Sequence, residues 1–414
     1  MTTRDAAAWD ASVRGQVTWI RSHAEALEIL LSHDFGASLH EGRSRPVVGN
    51  SLLTLVGPAH NERRRSEIVM FSRRSLMEYE FGLVMPAVQE SLDEAVASPD
   101  GEIDLLTVTH NALLRVSARI VGLDGVDSLD AVLRLKELAG PLGEGASVEW
   151  AADPDAVVRT ALAAKQEFAA RFWEPARRRR DDLVARYRAG ELTEDELPED
   201  LLTILLKKYD SWDDDDLLRE CIFFLIASAS TTTHSAPHTL LELTRWLEEH
   251  PEDVEKTTDL GFLQRAVSEA LRVHPPVPAL LRLALEDKVL STGRRIAAGE
   301  ALALDLNAAN RDEDAFGADA DRFDPHRTVG GRSHPYGLSF GSGPHTCPGR
   351  LVALGGGAVG KVDRDDVNIG VLTRIMAELF RRDVRLVPDR PPVKRTDTAA
   401  DRFASFPVTV GVHQ

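Results

Sequence analysis

The chain has 414 residues and a formal net charge of -17, from 49 Lys plus Arg against 66 Asp plus Glu. A field of that sign repels phosphate backbones and anionic bilayers, so nucleic acid and membrane surfaces are excluded as main partners. Apolar residues at 43% supply a sizeable core, and only two cysteines exclude a disulfide framework, so a reducing cytoplasm is the expected compartment.

The N-terminus carries no apolar stretch of signal-peptide type. Apolar runs such as Cys221 to Ala227 fall far short of the ~20 residues of a membrane span. Val17–Ile20 is the first predicted strand. Most of residues 60–275 reads as helix. Arg74–Ser98 sets Leu76, Phe81, Val84, Met85, Val88, Leu92 and Val96 at helical spacing. Val157–Arg188 is a second long helical stretch, with a kink or break expected at Pro175. Its four arginines, Arg177 to Arg180, read as a solvated face. Asp213–Glu249 is a third helix and opens with four aspartates at its positive end. Short strands follow at Arg294–Ala297 and Ala301–Asp305, and Phe406–Val412 closes the chain. The pattern predicts one mainly α domain over residues 1–414 with small peripheral β-sheets. Residues 355–368 hold four glycines and a cluster of charges. They read as an exposed flexible loop that splits a helix, which resumes at Val371.

The strongest local signal is Phe340-Gly341-Ser342-Gly343-Pro344-His345-Thr346-Cys347-Pro348-Gly349-Arg350. It presents one thiol from a glycine-rich loop just before a helix. Helix and loop N–H groups stabilise negative sulfur and predict a lowered thiol pKa. Glycines admit a flat ligand close to the backbone. On these grounds alone three alternatives stand. Zinc lacks nearby CxxC or HxxxH partners. A nucleophilic cysteine has only His345 as a neighbouring base. A small buried residue is the plainest alternative.

The segment resembles the heme-ligating signature of the cytochrome P450 superfamily at every defined position: Phe340, Gly341, Gly343, the basic His345, then Cys347, Pro348 and Gly349. Other segments resemble the family in the right order. They are the His60–Arg64 pair, Glu269–Arg272, Arg282 with its neighbours, and Asn310 to Arg327. The resemblance implies the cytochrome P450 fold and heme b. It implies Cys347 as the axial metal ligand and His60, Arg64, Arg282 and His345 as propionate donors. Glu269, Arg272 and Arg327 would form a folding element behind the heme. The implied activity is that of a soluble bacterial-type monooxygenase, because iron held by a thiolate favours O–O cleavage. It would use dioxygen, a small or medium nonpolar organic substrate, and electrons from a separate ferredoxin and ferredoxin reductase. Arg63, Arg65, Arg73, Arg74 and Arg350 would form a basic patch that steers an acidic ferredoxin. Substrate contacts are expected after Phe35, along Ala227–Thr231, at Val277–Leu281 and around Phe403.

Three features depart from the family. In the distal-helix segment Ile226-Ala227-Ser228-Ala229-Ser230-Thr231-Thr232, the resemblance puts Thr231 at the alcohol position and Ser230 in place of the usual acid, and alternative registers put Thr232 or Thr233 at the alcohol position. A serine relays a proton but does not supply one as a carboxyl does. Back-bonding of the Ser/Thr run to the preceding turn is also expected, with a bend. The stretch before Val17 is short for the family's additional helix. The 355–368 insert lies in the helix after Cys347, where redox partners dock in the family. The absent acid leaves a peroxide-using, coupling or desaturating enzyme as an alternative, and a non-catalytic heme-thiolate recruitment module as another.

Overall fold

The computed structural model describes residues 17–37, 42–97, 101–209, 212–362 and 367–411. The frame is helical: α1 His23–Leu31, α2 Gly57–Glu67, α3 Met85–Ala97, α4 Leu105–Val121, α5 Leu129–Ala146, α6 Pro154–Phe168, α7 Glu174–Arg188, α8 Asp214–Glu249, α9 Leu260–Val273, α10 Arg350–Leu354 and α11 Val371–Arg381. Helix α8 has 36 residues, so it runs roughly 54 Å at 1.5 Å per residue. Asp213 caps it by accepting from the Asp216 N–H, and Asp214 to Asp216 meet the positive end of the dipole. Helix α4 packs along α8. Leu113, Leu114 and Val116 join Leu225, Ala229 and Ala236 in one buried cluster. Each fully buried leucine contributes roughly 1.5–3 kcal/mol.

Four strands form the largest sheet: β1 Thr18–Ile20, β2 Phe35–Gly36, β3 Ala279–Ala284 and β4 Ala301–Asp305, in the order β1-β4-β3-β2. β1 runs parallel to β4, and β3 runs antiparallel to it with Arg282 opposite Leu302. A two-stranded ribbon near the C-terminus pairs β5 Val393–Lys394 with β6 Phe403–Ser405. The strand expected at 406–412 spans Pro407–Thr409, and Val412 lies outside the described residues. So do residues 1–16, on which the reading of a short N-terminus falls.

The long 157–188 stretch does not break at Pro175: its backbone stays helical throughout. A π-helical turn, Ala169–Trp173, joins α6 to α7 just before Pro175, and such a bulge accommodates the irregularity that a proline imposes on a helix. The solvated arginine face needs correction. Arg180 is buried and its guanidinium bonds Asp124 and Asp200. Four successive residues at 3.6 per turn point all round a helix, so one of them must face inward.

The glycine-rich insert does split a helix, between α10 and α11. Its described part is anchored rather than free. Gln264 Nε2 donates to the carbonyls of Leu354 (2.7 Å) and Ile369 (3.2 Å), and its Oε1 accepts from the Gly360 N–H at 2.7 Å. The buried Glu80 carboxylate accepts from Asn368 Nδ2, the Gly370 N–H and Arg374 Nε at 2.6, 2.9 and 2.7 Å. Gly370 has φ 93°, and a Cβ there would meet the Ala353 carbonyl oxygen at 2.3 Å. The backbones at the two ends of the insert therefore touch, which only glycine permits.

Candidate active site

The Cys347 loop is shaped by local backbone demands. Gly343 has φ 67°, and a Cβ there would lie 2.4 Å from the Leu30 carbonyl oxygen, so the loop closes against the end of α1. The Cys347 N–H donates to the Phe340 carbonyl at 2.9 Å. The Gly349 and Arg350 N–H groups face the sulfur, at the start of α10. The side chain is accessible yet set deep in the protein. The expected lowering of the thiol pKa is not what results. Burial pushes the thiol up, and this outweighs the N–H groups, Arg64 and Arg350, which pull it down. Binding to a metal ion deprotonates such a thiol outright.

Four residues distant in sequence meet beside this loop. His60 and Arg64 stand one turn apart on α2, and Arg64 Nη2 donates to the Thr346 carbonyl at 2.6 Å. The His60 and His345 rings lie 4.0 Å apart between centroids, tilted by 34°. Burial pulls the His345 pKa down to about 3, and His60, Arg282 and Arg64 add to the fall. Arg282, on β3, is buried, with its pKa pulled down to about 10 by burial. Its Nη1 donates only to the adjacent Leu281 carbonyl, at 2.7 Å. Among the described residues no carboxylate partners any of the four. Burying so much donor capacity without an anion is costly. The donor set fits the two carboxylates of heme b. His33, which no motif singles out, adds to the positive field at His345.

Behind the loop, Arg272 grips Glu269 through Nε (2.8 Å) and Nη2 (2.6 Å). Arg327 Nε adds a bond to Glu269 at 2.9 Å. Arg272 Nη1 also donates to the carbonyls of Asn310 and Ala320, both at 2.6 Å. The trio thus ties α9 to the segment before the cysteine loop.

On α8, Thr231 Oγ1 donates to the Ala227 carbonyl at 3.1 Å, and Thr233, Ser235 and Thr239 bond back in the same way. The back-bonding expectation therefore describes this run. Ser228 turns towards α4, with Oγ 2.6 Å from Ser117 Oγ. Ser230 lies on a different side from Thr231. It lines a polar cavity with Thr233 and His234, and Thr231 is not part of that lining. The basic patch loses one member. Arg63 is buried, pairs with Glu220, and lies 3.6 Å over the Trp212 ring. Arg65, Arg73 and Arg74 are exposed, and Arg350 is half-buried.

Comparison with known proteins places the chain. The cytochrome P450 family model matches residues 13–354, ending where Gly355 opens the insert. The chain belongs to the cytochrome P450 family, whose members are heme-thiolate oxidoreductases with heme b as cofactor. It is 28% identical over 320 residues to the putative cytochrome P450 YjiB of Bacillus subtilis, covering 74% of this chain and 70% of that one. It is 36% identical over 102 residues to cytochrome P450 71A12 of Arabidopsis thaliana, covering 23% of this chain and only 20% of the plant protein. Its fold is similar to P450BioI in complex with an acyl carrier protein ligated to hexadec-9Z-enoic acid, with TM-score 0.70 and 22% identity over 95% of this chain and 92% of that one. Among the described residues no helix is long and apolar enough to cross a membrane.

Proposed function

We propose that the chain is a single-domain heme-thiolate monooxygenase of the cytoplasm. It places one atom of dioxygen into a small or medium nonpolar organic substrate. Electrons come from a separate ferredoxin and ferredoxin reductase. Cys347 would hold the heme iron, and His60, Arg64, Arg282 and His345 would hold the heme carboxylates. The observation that carries this reading is the cluster of four buried or half-buried donors, none with a carboxylate partner among the described residues, beside the Cys347 loop.

When bound, heme supplies dioxygen activation through its thiolate-held iron. The chain's own residues do the rest. The Gly349 and Arg350 N–H groups hold negative charge on Cys347 Sγ. Arg64 and Arg282 fix the orientation of the carboxylates by charge-assisted hydrogen bonds. Thr231 and Ser230 move protons along α8, Thr231 beside Ala227 and Ser230 from the polar cavity. The apolar and small residues along Ala227–Thr231, Val277–Leu281 and Phe403 bound the substrate; residues 38–41 after Phe35 lie outside the described residues. The exposed arginines Arg65, Arg73 and Arg74 receive an acidic electron donor.

Reduced protein under carbon monoxide is expected to show the thiolate-heme absorption band, and Cys347→Ser to abolish it. An unchanged band in the variant refutes the ligand. A peroxide-driven reading is favoured by one observation, the serine where the family carries an acid. A peroxide-supported rate exceeding the rate with redox partners decides for it.

A further inference from the structure

Three segments meet where α9 ends. His274 follows the last residue of α9, and each of its ring nitrogens lies against a carboxylate oxygen. Nδ1 is 3.1 Å from Asp401 Oδ2, and Nε2 is 2.9 Å from Glu242 Oε1 on α8. A neutral imidazole has one N–H and a carboxylate only accepts, so both bonds form only when the ring carries two protons. A metal ion held by His238, His274 and Asp401 is the other way to satisfy such contacts. The rings of His238 and His274 are stacked, with centroids 4.2 Å apart and planes 17° apart. Their in-plane lone pairs therefore run side by side instead of converging on one ion, which leaves the second proton as the fit. His238 is spoken for as a neutral ring, since its Nε2 lies 2.9 Å from the Asp401 carbonyl oxygen, which takes its one N–H. The charged and titratable groups around His274 are Glu242, Arg245 and His238 from α8, Asp401 and Lys394 from the β5–β6 ribbon, and Arg311 beyond β4. Burial disfavours the imidazolium, but the bonds to Asp401 and Glu242 outweigh it and hold the His274 pKa above its ordinary 6.5. Burial first, and then the charge of His274, pulls His238 down to about 3.

Asp401 leads into β6, whose first residue is Phe403. Lys394 on β5 bonds the other Asp401 oxygen and lies 3.8 Å from the centroid of the Phe403 ring, and the His238 ring stands 4.8 Å from that ring. We propose that His274 is a pH-sensitive positioning residue, whose imidazolium bridges Glu242 and Asp401 and so fixes the turn that carries Phe403 against α8. Loss of one proton breaks one of the two bonds. The proton that remains stays with Glu242, whose side chain is 18% exposed, because Asp401 is 40% exposed and keeps both water and Lys394. A group with a raised folded pKa holds its bonds only while charged, so the turn loosens as pH rises through that pKa. The consequence for substrate rests on the reading of Phe403 as a residue that bounds it; the latch itself does not.

The test titrates the heme-loaded protein, labelled with carbon-13 histidine, by NMR. Amide hydrogen exchange of residues 393–405 is followed over the same pH range and corrected for its intrinsic pH dependence. The histidine resonance absent from His274→Gln should titrate with a midpoint above 6.5. Corrected exchange of the ribbon should rise about 10-fold through that midpoint, as loss of one charge-assisted hydrogen bond implies. In His274→Gln the exchange should already be fast below the parent's midpoint and flat with pH. Glu242→Gln keeps the histidine and should lower its midpoint, so it decides where His274→Gln loses heme or melts early. A midpoint at or below 6.5, flat exchange in the parent, equal protection in parent and His274→Gln, or an unmoved midpoint in Glu242→Gln overturns the proposal. Saturable zinc binding that His274→Gln abolishes assigns the site to a metal ion and overturns it as well. Neither measurement involves turnover, so failure here leaves the monooxygenase reading standing, and loss of that reading leaves the latch standing.

Discussion

Two cation-lined recesses flank the middle of this molecule, and they differ in how their charge is balanced. Beside the Cys347 loop, His60, Arg64, Arg282 and His345 face one another with no carboxylate among them. Beside Ser230, Arg395 and Arg402 hold Glu144 and Asp397, and the Asp104 carboxylate acts on Lys136. The first recess suits a ligand with two negative charges, whereas the chain's own carboxylates match the cations of the second. Unpaired donors that are buried point to a partner outside the chain, because leaving them unmade costs more than the bond itself contributes. The size of the imbalance indicates the charge of that partner.

The comparison breaks most directly in the first recess. Arg64→Ala combined with Arg282→Ala should cut heme retention by more than 10-fold, since each charge-assisted bond contributes about 1.5–3 kcal/mol. The heme-to-protein ratio after gel filtration measures it, and full occupancy in the double variant sinks the assignment. In the second recess, Ser230→Asp supplies a fixed carboxyl. Product formed per NAD(P)H consumed should rise, with a gain in rate of up to ~10²-fold, the lower range for a positioned general acid. If neither Ser230→Asp nor Thr231→Ala alters coupling or peroxide release, protons take another route.

The smallest expected effect is on the pH dependence of stability. His234 has its folded pKa pulled down to about 2, far below its ordinary 6.5. As pH falls below 6.5 the unfolded chain takes up this proton first, so folded stability is lost on acidification. His234→Asn removes that component. Between pH 7 and 5 the variant should lose about 2 kcal/mol less than the parent in urea titrations. Equal losses would show that His234 titrates normally in the folded state.

The cysteine loop was legible because its constraints are local. Gly341 and Gly343 take positive φ, and the spacing from Phe340 to Gly349 encodes the turn itself. The His60–Arg64 pair was legible for the same reason, as i and i+4 share a helix face. Neighbouring residues on that helix show where such reading stops. Arg63 and Arg64 are adjacent, yet one stacks on Trp212 and pairs with Glu220 while the other reaches Thr346. The spacing from His60 singles out Arg64, but nothing local indicates that Arg63 turns inward. The insert misled in the opposite direction. Four glycines suggest freedom, but Gln264 and Glu80, remote in sequence, hold its base.

The sequence by itself determined the helical frame, the cysteine turn and the family, because periodicity, capping residues and glycine spacing act over a few residues. By resemblance it also led us to expect Ser230 where the family carries a carboxyl. Tertiary structure alone decided which arginines face inward, whether the insert is anchored, and which side of α8 Ser230 occupies. It alone brought Lys136 and Arg402 to one cavity. These outcomes depend on contacts between segments far apart in the chain. In such contacts burial and the balance of charge, rather than residue type, set what each side chain does.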